Sequence, residues 1–252
     1  MTDLEKTLQK RSNISFFRED KIPEKSLIDE ILTKAHLLTP HKNNFWHYEI
    51  EIYGPEYEEE KKYATLATVC SELKEKYSKS NATSEDFKEL EKIYDLWLED
   101  HKNIKTKEDF LRMRKKLNKI HFNNQVRAPY LLVYTKRDEL LTNSQKNSDY
   151  YKNGRLNTIF DVNANQQSNM WLIQAGMHSI LTSTLAIEKG LDASFCKCFF
   201  YNTNIHSNIL RKAAKNSSNI AFLLGLGYKD DSKHQYKSYV PKPTLDEIVK
   251  WR

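Results

Sequence analysis

Two short polar clusters carry the residue types that could hold a small anionic ligand: Arg11-Ser12-Asn13-Ile14-Ser15 and Pro40-His41-Lys42-Asn43-Asn44. An arginine offers a planar fork of donors that matches phosphate geometry. Amides, hydroxyls and an imidazole add the single donors and acceptors that a polar heterocycle needs. A third candidate is Cys196-Lys197-Cys198, where a cation stands between two thiols. Each also has an ordinary structural role open to it. Asn and Ser favour turns, His41 could cap a helix end, and strand cysteines are most often buried.

Glycine is scarce, with six in 252 residues. A backbone phosphate cradle needs clustered glycines followed by a helix start. Gly225-Leu226-Gly227 is the closest pair and has neither a third glycine nor a helix after it. Side chains must therefore do most of the work of holding a phosphate. The three cysteines, Cys70, Cys196 and Cys198, fit no disulfide framework, and no second pair supplies a four-ligand zinc set.

The elements that must position these clusters follow from periodicity. Residues 3–10 form a short helix. Pro23 opens a second helix over 24–38, with Leu27, Ile28, Ile31, Leu32, Ala35 and Leu38 on one face. If the chain doubles back after it, both polar clusters converge. Residues 45–53 alternate as a strand, 128–134 and 193–201 form two more, and 220–228 is a nearly continuous apolar strand. Residues 136–157 are polar and loop-like. The run 163–189 is apolar on almost all sides, which marks a central or interface helix, and Gly190 caps it. Residues 207–215 and the stretch from Leu245 are short helices. The Lys/Glu-rich segment 56–120 holds about three helices with a break at 78–84. It is an inserted subdomain, a lid or a dimer arm, and its charge is a solvated face. Together these predict an α+β fold with one mixed sheet around a buried helix.

The composition bounds the class. Hydrophobic residues make up 39% and charged residues 29%, which defines a globular chain rather than a disordered one. The net charge of +6 is spread along the sequence rather than gathered in a nucleic-acid stripe. No apolar run reaches bilayer length, and the first residues are acidic and polar, so the expected setting is cytoplasmic, with no nucleic acid and no membrane as partner.

The sequence resembles the nitroreductase family of flavin-dependent oxidoreductases. Arg11 through Phe17 with Ile22-Pro23 is similar to that family's Arg-x-Ser-x-Arg-x-Phe pattern and its Val/Ile-Pro helix start. Pro40-His41-Lys42-Asn43-Asn44 resembles its Pro-Ser-x-x-Asn segment. Helix 163–189 with Gly190-Leu191, and the tail from Gly225 through Pro243-Thr244-Leu245, fit as well. The resemblance implies a single nitroreductase-like domain over 1–252, with 56–120 as a helical insertion. It implies a homodimer holding FMN, with NAD(P)H as electron donor and a small nitro- or quinone-like acceptor. Its cofactor positions fall on Arg11, Asn13, Ser15, His41, Lys42, Asn44, Cys196, Lys197, Cys198 and Lys242. The Cys196–Cys198 stretch faces flavin N5 through backbone N–H groups, and Lys197 adds positive charge near N1.

The chain departs from the pattern at Asn13, Ser15, His41 and Pro241. Ser15 and Pro241 each stand where a cation is usual. Lys42 and Lys237 beside Lys242 are the substitute cations. Asn123 and Gln125 are secondary candidates, while Trp46, Phe199 and Phe200 suit the core better than ring stacking. The alternative is a flavin- or anion-binding protein of the same fold without turnover, a sensor or carrier. No acid–base pair is required, because a flavin carries the redox chemistry itself.

Overall fold

The structure, a computed structural model, describes residues 1–12, 14–41, 46–68, 84–117, 122–137, 143–152, 170–198, 220–235 and 243–249. Its helices are α1 (Asp3–Lys10), α2 (Lys25–Leu38), α3 (Glu58–Ala67), α4 (Ser84–His101), α5 (Lys107–Lys116), α6 (Asn143–Lys146), α7 (Asp149–Lys152), α8 (Met170–Glu188) and α9 (Leu245–Ile248). The strands are β1 (Tyr48–Tyr53), β2 (Tyr130–Lys136), β3 (Asp192–Cys196) and β4 (Ile220–Gly227), with a 3-10 turn at Asn124–Arg127. The predicted break at 78–84, all but its last residue, and the predicted helices 163–169 and 207–215 lie outside the described residues.

Local sequence explains the boundaries. Thr2 accepts from Glu5 N, and the Glu5 carboxylate accepts from Thr2 N, so a capping box starts α1. Thr106 and Asp109 do the same for α5. Gly190 adopts φ +80 at the end of α8, a left-handed conformation that favours glycine.

The sheet order is β1-β2-β4-β3. A mixed sheet was expected from strands separated by helices. Among the described strands every pairing is antiparallel instead. β3 returns beside β4 in the reverse direction, and β1 lies against β2 with Tyr48 opposite Lys136.

Period-two alternation splits the sheet into two apolar faces. Leu132, Tyr134, Leu224 and Leu226 face α2 and α8, where Ile28, Ile31, Trp171 and Ala175 complete the core. Leu131, Val133 and Leu223 face the other way, onto Ala64 and Ala67 of α3. The segment 56–120 has a cluster of its own, with Leu90, Tyr94, Trp97, Ile104 and Met113 packed around Phe122. Phe16 from the N-terminal strap enters that cluster.

α8 is the helix that ties most elements together. It contacts α1, α2 and the sheet. Its buried face is unusually polar. Gln174 Oε1 accepts from His47 N at 3.1 Å and lies 3.0 Å from His47 Nδ1. His178 Nδ1 lies 3.0 Å from Tyr134 Oη and 3.2 Å from Thr182 Oγ1. Buried polar atoms left unpaired cost stability, so these bonds fix the rotation of α8 on the sheet. Its outer face keeps Leu172, Ile173 and Ile180 exposed, beside exposed Leu4 and Leu8 of α1.

Candidate functional site

The N-terminal strap is held by the chain beyond β4. Phe17 bridges Lys229 in antiparallel fashion, and Arg18 N donates to Tyr228 O at 2.8 Å. Gln235 Oε1 accepts from both Ser15 N at 2.8 Å and Phe16 N at 3.1 Å. Its Nε2 donates to Asp230 O at 2.8 Å, so the amide is oriented from both ends. Asn124 Nδ2 donates to Ser15 O at 3.0 Å. The glycines of β4 belong to the same joint. A Cβ at Gly225 would sit 2.4 Å from Gln125 O and 2.7 Å from Ala128 Cβ, and one at Gly227 would sit 2.7 Å from Pro129 Cδ. Gly225 and Gly227 thus admit the strap ring Phe17 and the Gln125–Pro129 backbone, which is a packing role.

This frame places the predicted residues as follows. Arg11 caps the end of α1 with extended backbone, its N–H on Leu8 O, and its side chain is exposed. Among the described residues its guanidinium has no ion pair. Ser15 is buried in the strap. His41 lies just past α2 and is half-buried. Cys196 ends β3 and is buried against the α3 side of the sheet, Lys197 is exposed, and Cys198 is half-buried against the same cluster. Asn13, Lys42, Asn44, Lys237 and Lys242 lie outside the described residues, as do Phe199 and Phe200. Asn123 and Gln125 tie the 3-10 turn together: Asn123 Nδ2 donates to Thr68 O, and Gln125 Nε2 donates to Asn123 Oδ1 at 3.4 Å. Trp46 packs on the main core, as expected.

The elements that lead into Arg11, His41 and Cys196, namely α1, α2 and β3, each pack on α8, but Cys196 and Cys198 lie on the α3 face of the sheet, away from that helix. The strap and its Gln235 clamp add Ser15 to a framework fixed by hydrogen bonds rather than by glycine turns.

His41 supplies an orphaned buried atom. Its Nδ1 lies 2.7 Å from Thr39 O and must carry the proton to bond a carbonyl. Burial lowers its pKa, against the pull of the Thr39 carbonyl, so the ring is neutral. Its Nε2 is then a bare acceptor, buried and without a partner. The ring is seated on Trp46, with centroids 3.3 Å apart. Such an acceptor suits a ribityl hydroxyl or the flavin N3–H, and does not suit a phosphate. Of the expected site, the described residues thus supply one cation without an ion pair among them, Arg11, and one bare acceptor, His41 Nε2.

Sequence reasoning missed a cavity of about 470 Å3 at the entry to β1, lined by His36, Trp46, Tyr48, Glu49 and Arg137 with Ser144 and Gln145 of α6. The alternation in 45–53 spoke for a strand and hid this. It missed a second cavity of about 240 Å3 beside the strap, bordered by Glu19, Lys61 and Arg127.

No protein-family model matches the chain, and no curated protein sequence matches it. Solved structures do. A nitroreductase-like protein from Streptococcus mutans superposes with a TM-score of 0.61 at 11% identity, covering 99% of this chain and 98% of that one. A structure from Exiguobacterium sibiricum in complex with FMN gives 0.58 at 16% identity, covering 100% and 98%. The FMN and NADPH-dependent nitroreductase NfnB from Sphigopyxis sp. strain HMH gives 0.56 at 15% identity, covering 100% and 99%. The chain therefore has the nitroreductase-like α+β fold along its whole length.

Proposed function

We propose that the protein is an FMN-dependent oxidoreductase that takes electrons from NAD(P)H and passes them to a small nitro- or quinone-like acceptor. The observation that carries the proposal is the common seating on α8. The three elements that lead into Arg11, His41 and Cys196 (α1, α2 and β3) each pack on one helix, in a fold that a solved FMN complex shares. FMN, when bound, supplies the hydride acceptance and donation.

The chain's own residues bind and orient. Arg11 holds the phosphate as an exposed, unpaired guanidinium, with Asn13, Ser15, Lys42, Lys237 and Lys242 as further donors. Neutral His41 accepts through Nε2, and Asn44 bonds the polar edge of the ring. Cys196–Cys198 presents backbone to the reactive edge, and the ammonium of Lys197 favours negative charge there. The segment 56–120 is an insertion within a single domain. A homodimer would cover exposed Leu4, Leu8, Ile173 and Ile180, since contiguous apolar surface of this kind marks an interface. Among the described residues no helix is long and apolar enough to cross a membrane.

A purified yellow protein whose flavin bleaches under anaerobic NADH or NADPH is the expected result. A colourless protein that takes up no added FMN overturns the proposal. Flavin that binds but stays oxidised would instead support the carrier or sensor reading, which the burial of Ser15 at a usually cationic position favours.

A further inference from the structure

The cavity at the entry to β1 keeps two opposite charges apart. β1 is an edge strand, Glu49 lies opposite Thr135, and Arg137 N donates to His47 O at 3.0 Å. Residues two apart on a strand share a face, so Glu49 and Arg137 stand on one face as diagonal neighbours, about 7–8 Å apart at the backbone. No ion pair joins them. The half-buried Arg137 guanidinium has no ion pair or hydrogen bond among the described residues, and the Glu49 carboxylate accepts only weakly, from Thr135 Oγ1 at 3.5 Å. A desolvated guanidinium normally finds a carboxylate.

Tyr48, one residue along from Glu49, points to the opposite face of the strand, so the cavity wraps the exposed edge of β1, and its other wall is flat and aromatic. His36 is exposed and stacks on Trp46, with centroids 4.2 Å apart and planes 21° apart. Tyr48 also lines the cavity, and its hydroxyl is buried without a hydrogen-bond partner. The volume, about 470 Å3, is in the range of small-molecule sites.

We propose that this cavity binds a small aromatic zwitterion, with its carboxylate on Arg137, its ammonium on Glu49 and its ring against the His36–Trp46 pair. A ligand with both charges satisfies both side chains at once. A simple anion would be repelled by Glu49, and a simple cation by Arg137. The proposal does not rest on the flavin reading: Arg137, Glu49 and His36 take no part there, and Trp46 enters it only as the seat of His41.

L-phenylalanine is the probe, titrated calorimetrically into the full-length protein as purified. Saturable binding is expected, with perturbation of the Trp46 indole N–H in NMR spectra. Phenethylamine, which lacks the carboxylate, and 3-phenylpropionate, which lacks the amine, should each bind about tenfold or more weaker. Arg137→Gln and Glu49→Gln should each cost a similar factor while keeping the wild-type melting transition. No saturable heat, binding by 3-phenylpropionate equal to that of L-phenylalanine, or affinity unchanged in both variants would overturn it. Should one variant fail to fold, the other variant and the two analogues still decide. Calorimetry reads ligand heat rather than turnover, so failure here leaves the flavin proposal standing, and the reverse also holds.

Discussion

His101 Nε2 lies 3.7 Å from Glu19 Oε1, and through this contact the last turn of α4 meets the N-terminal strap. The imidazole is buried, stacked on Trp97 with centroids 4.6 Å apart, and its Nδ1 lies 2.7 Å from Leu98 O. Burial lowers the His101 pKa despite the pull of Glu19, so the neutral ring keeps its proton on Nδ1 and turns a lone pair towards Arg127 Nη1 at 3.5 Å. On protonation Nε2 becomes a donor to Glu19. With that bond, and with Arg127 nearby, the Glu19 carboxyl is held at about 2.

Stability should therefore fall in mild acid. His101 and His178 both titrate lower in the folded protein than the ordinary 6.5, His178 at about 4 because it is buried. The unfolded chain binds these protons first, so stability declines as pH drops below 6.5 and the His178 share levels off near 4. Glu19 is lowered too, by its bond with His101 rather than by burial, so its share is present above its ordinary 4.5 and lost towards 2. Urea midpoints between pH 7.5 and 5 should fall, and His178→Asn should flatten the slope. A flat wild-type profile would contradict this account.

Gly225→Ala should destabilise by roughly 1–3 kcal/mol, since its Cβ would meet the Gln125 carbonyl and the Ala128 methyl in a packed joint. Gly176→Ala is the matched control. It sits in α8 with nothing within 4 Å of the new methyl, and should stabilise by about 0.5–1 kcal/mol through helix propensity. Thermal melts of the pair should move in opposite directions.

Gln235→Ala removes the acceptor shared by Ser15 N and Phe16 N. Two buried backbone amides lose the Gln235 acceptor, at a cost of about 1–3 kcal/mol. Hydrogen exchange at those two amides should accelerate more than exchange in β2.

Arg11→Ala should leave the melting transition of the flavin-free protein within ~0.5 kcal/mol, because the side chain is exposed and has no ion pair among the described residues. FMN affinity should drop about ten- to hundredfold if the guanidinium holds the phosphate. Fluorescence titration with FMN separates the two effects.

The elements with strong periodicity were legible in advance. The spacing of Ile28, Ile31 and Ala35 gave the buried face of α2, and Gly190 marked the end of α8. The antiparallel direction of β3 against β4 was not legible, because strand direction depends on a connection rather than on either strand's residues. Gln235 was silent for a similar reason. Its two acceptances lie 220 and 219 residues away, and no local pattern encodes so distant a partner. In the site, side-chain chemistry picked out His41, but its neutral state follows only from burial and from the Thr39 carbonyl. Glu49 looked like an ordinary strand-surface residue and Arg137 like part of a polar loop until the fold put them beside one cavity.

The Gln235 clamp also orders events during synthesis. A ribosome delivers Ser15 and Phe16 long before the glutamine that fastens them, and β4 must be paired before that glutamine is in reach. The strap is thus among the last pieces to set, and any molecule captured there waits for nearly the whole chain to emerge.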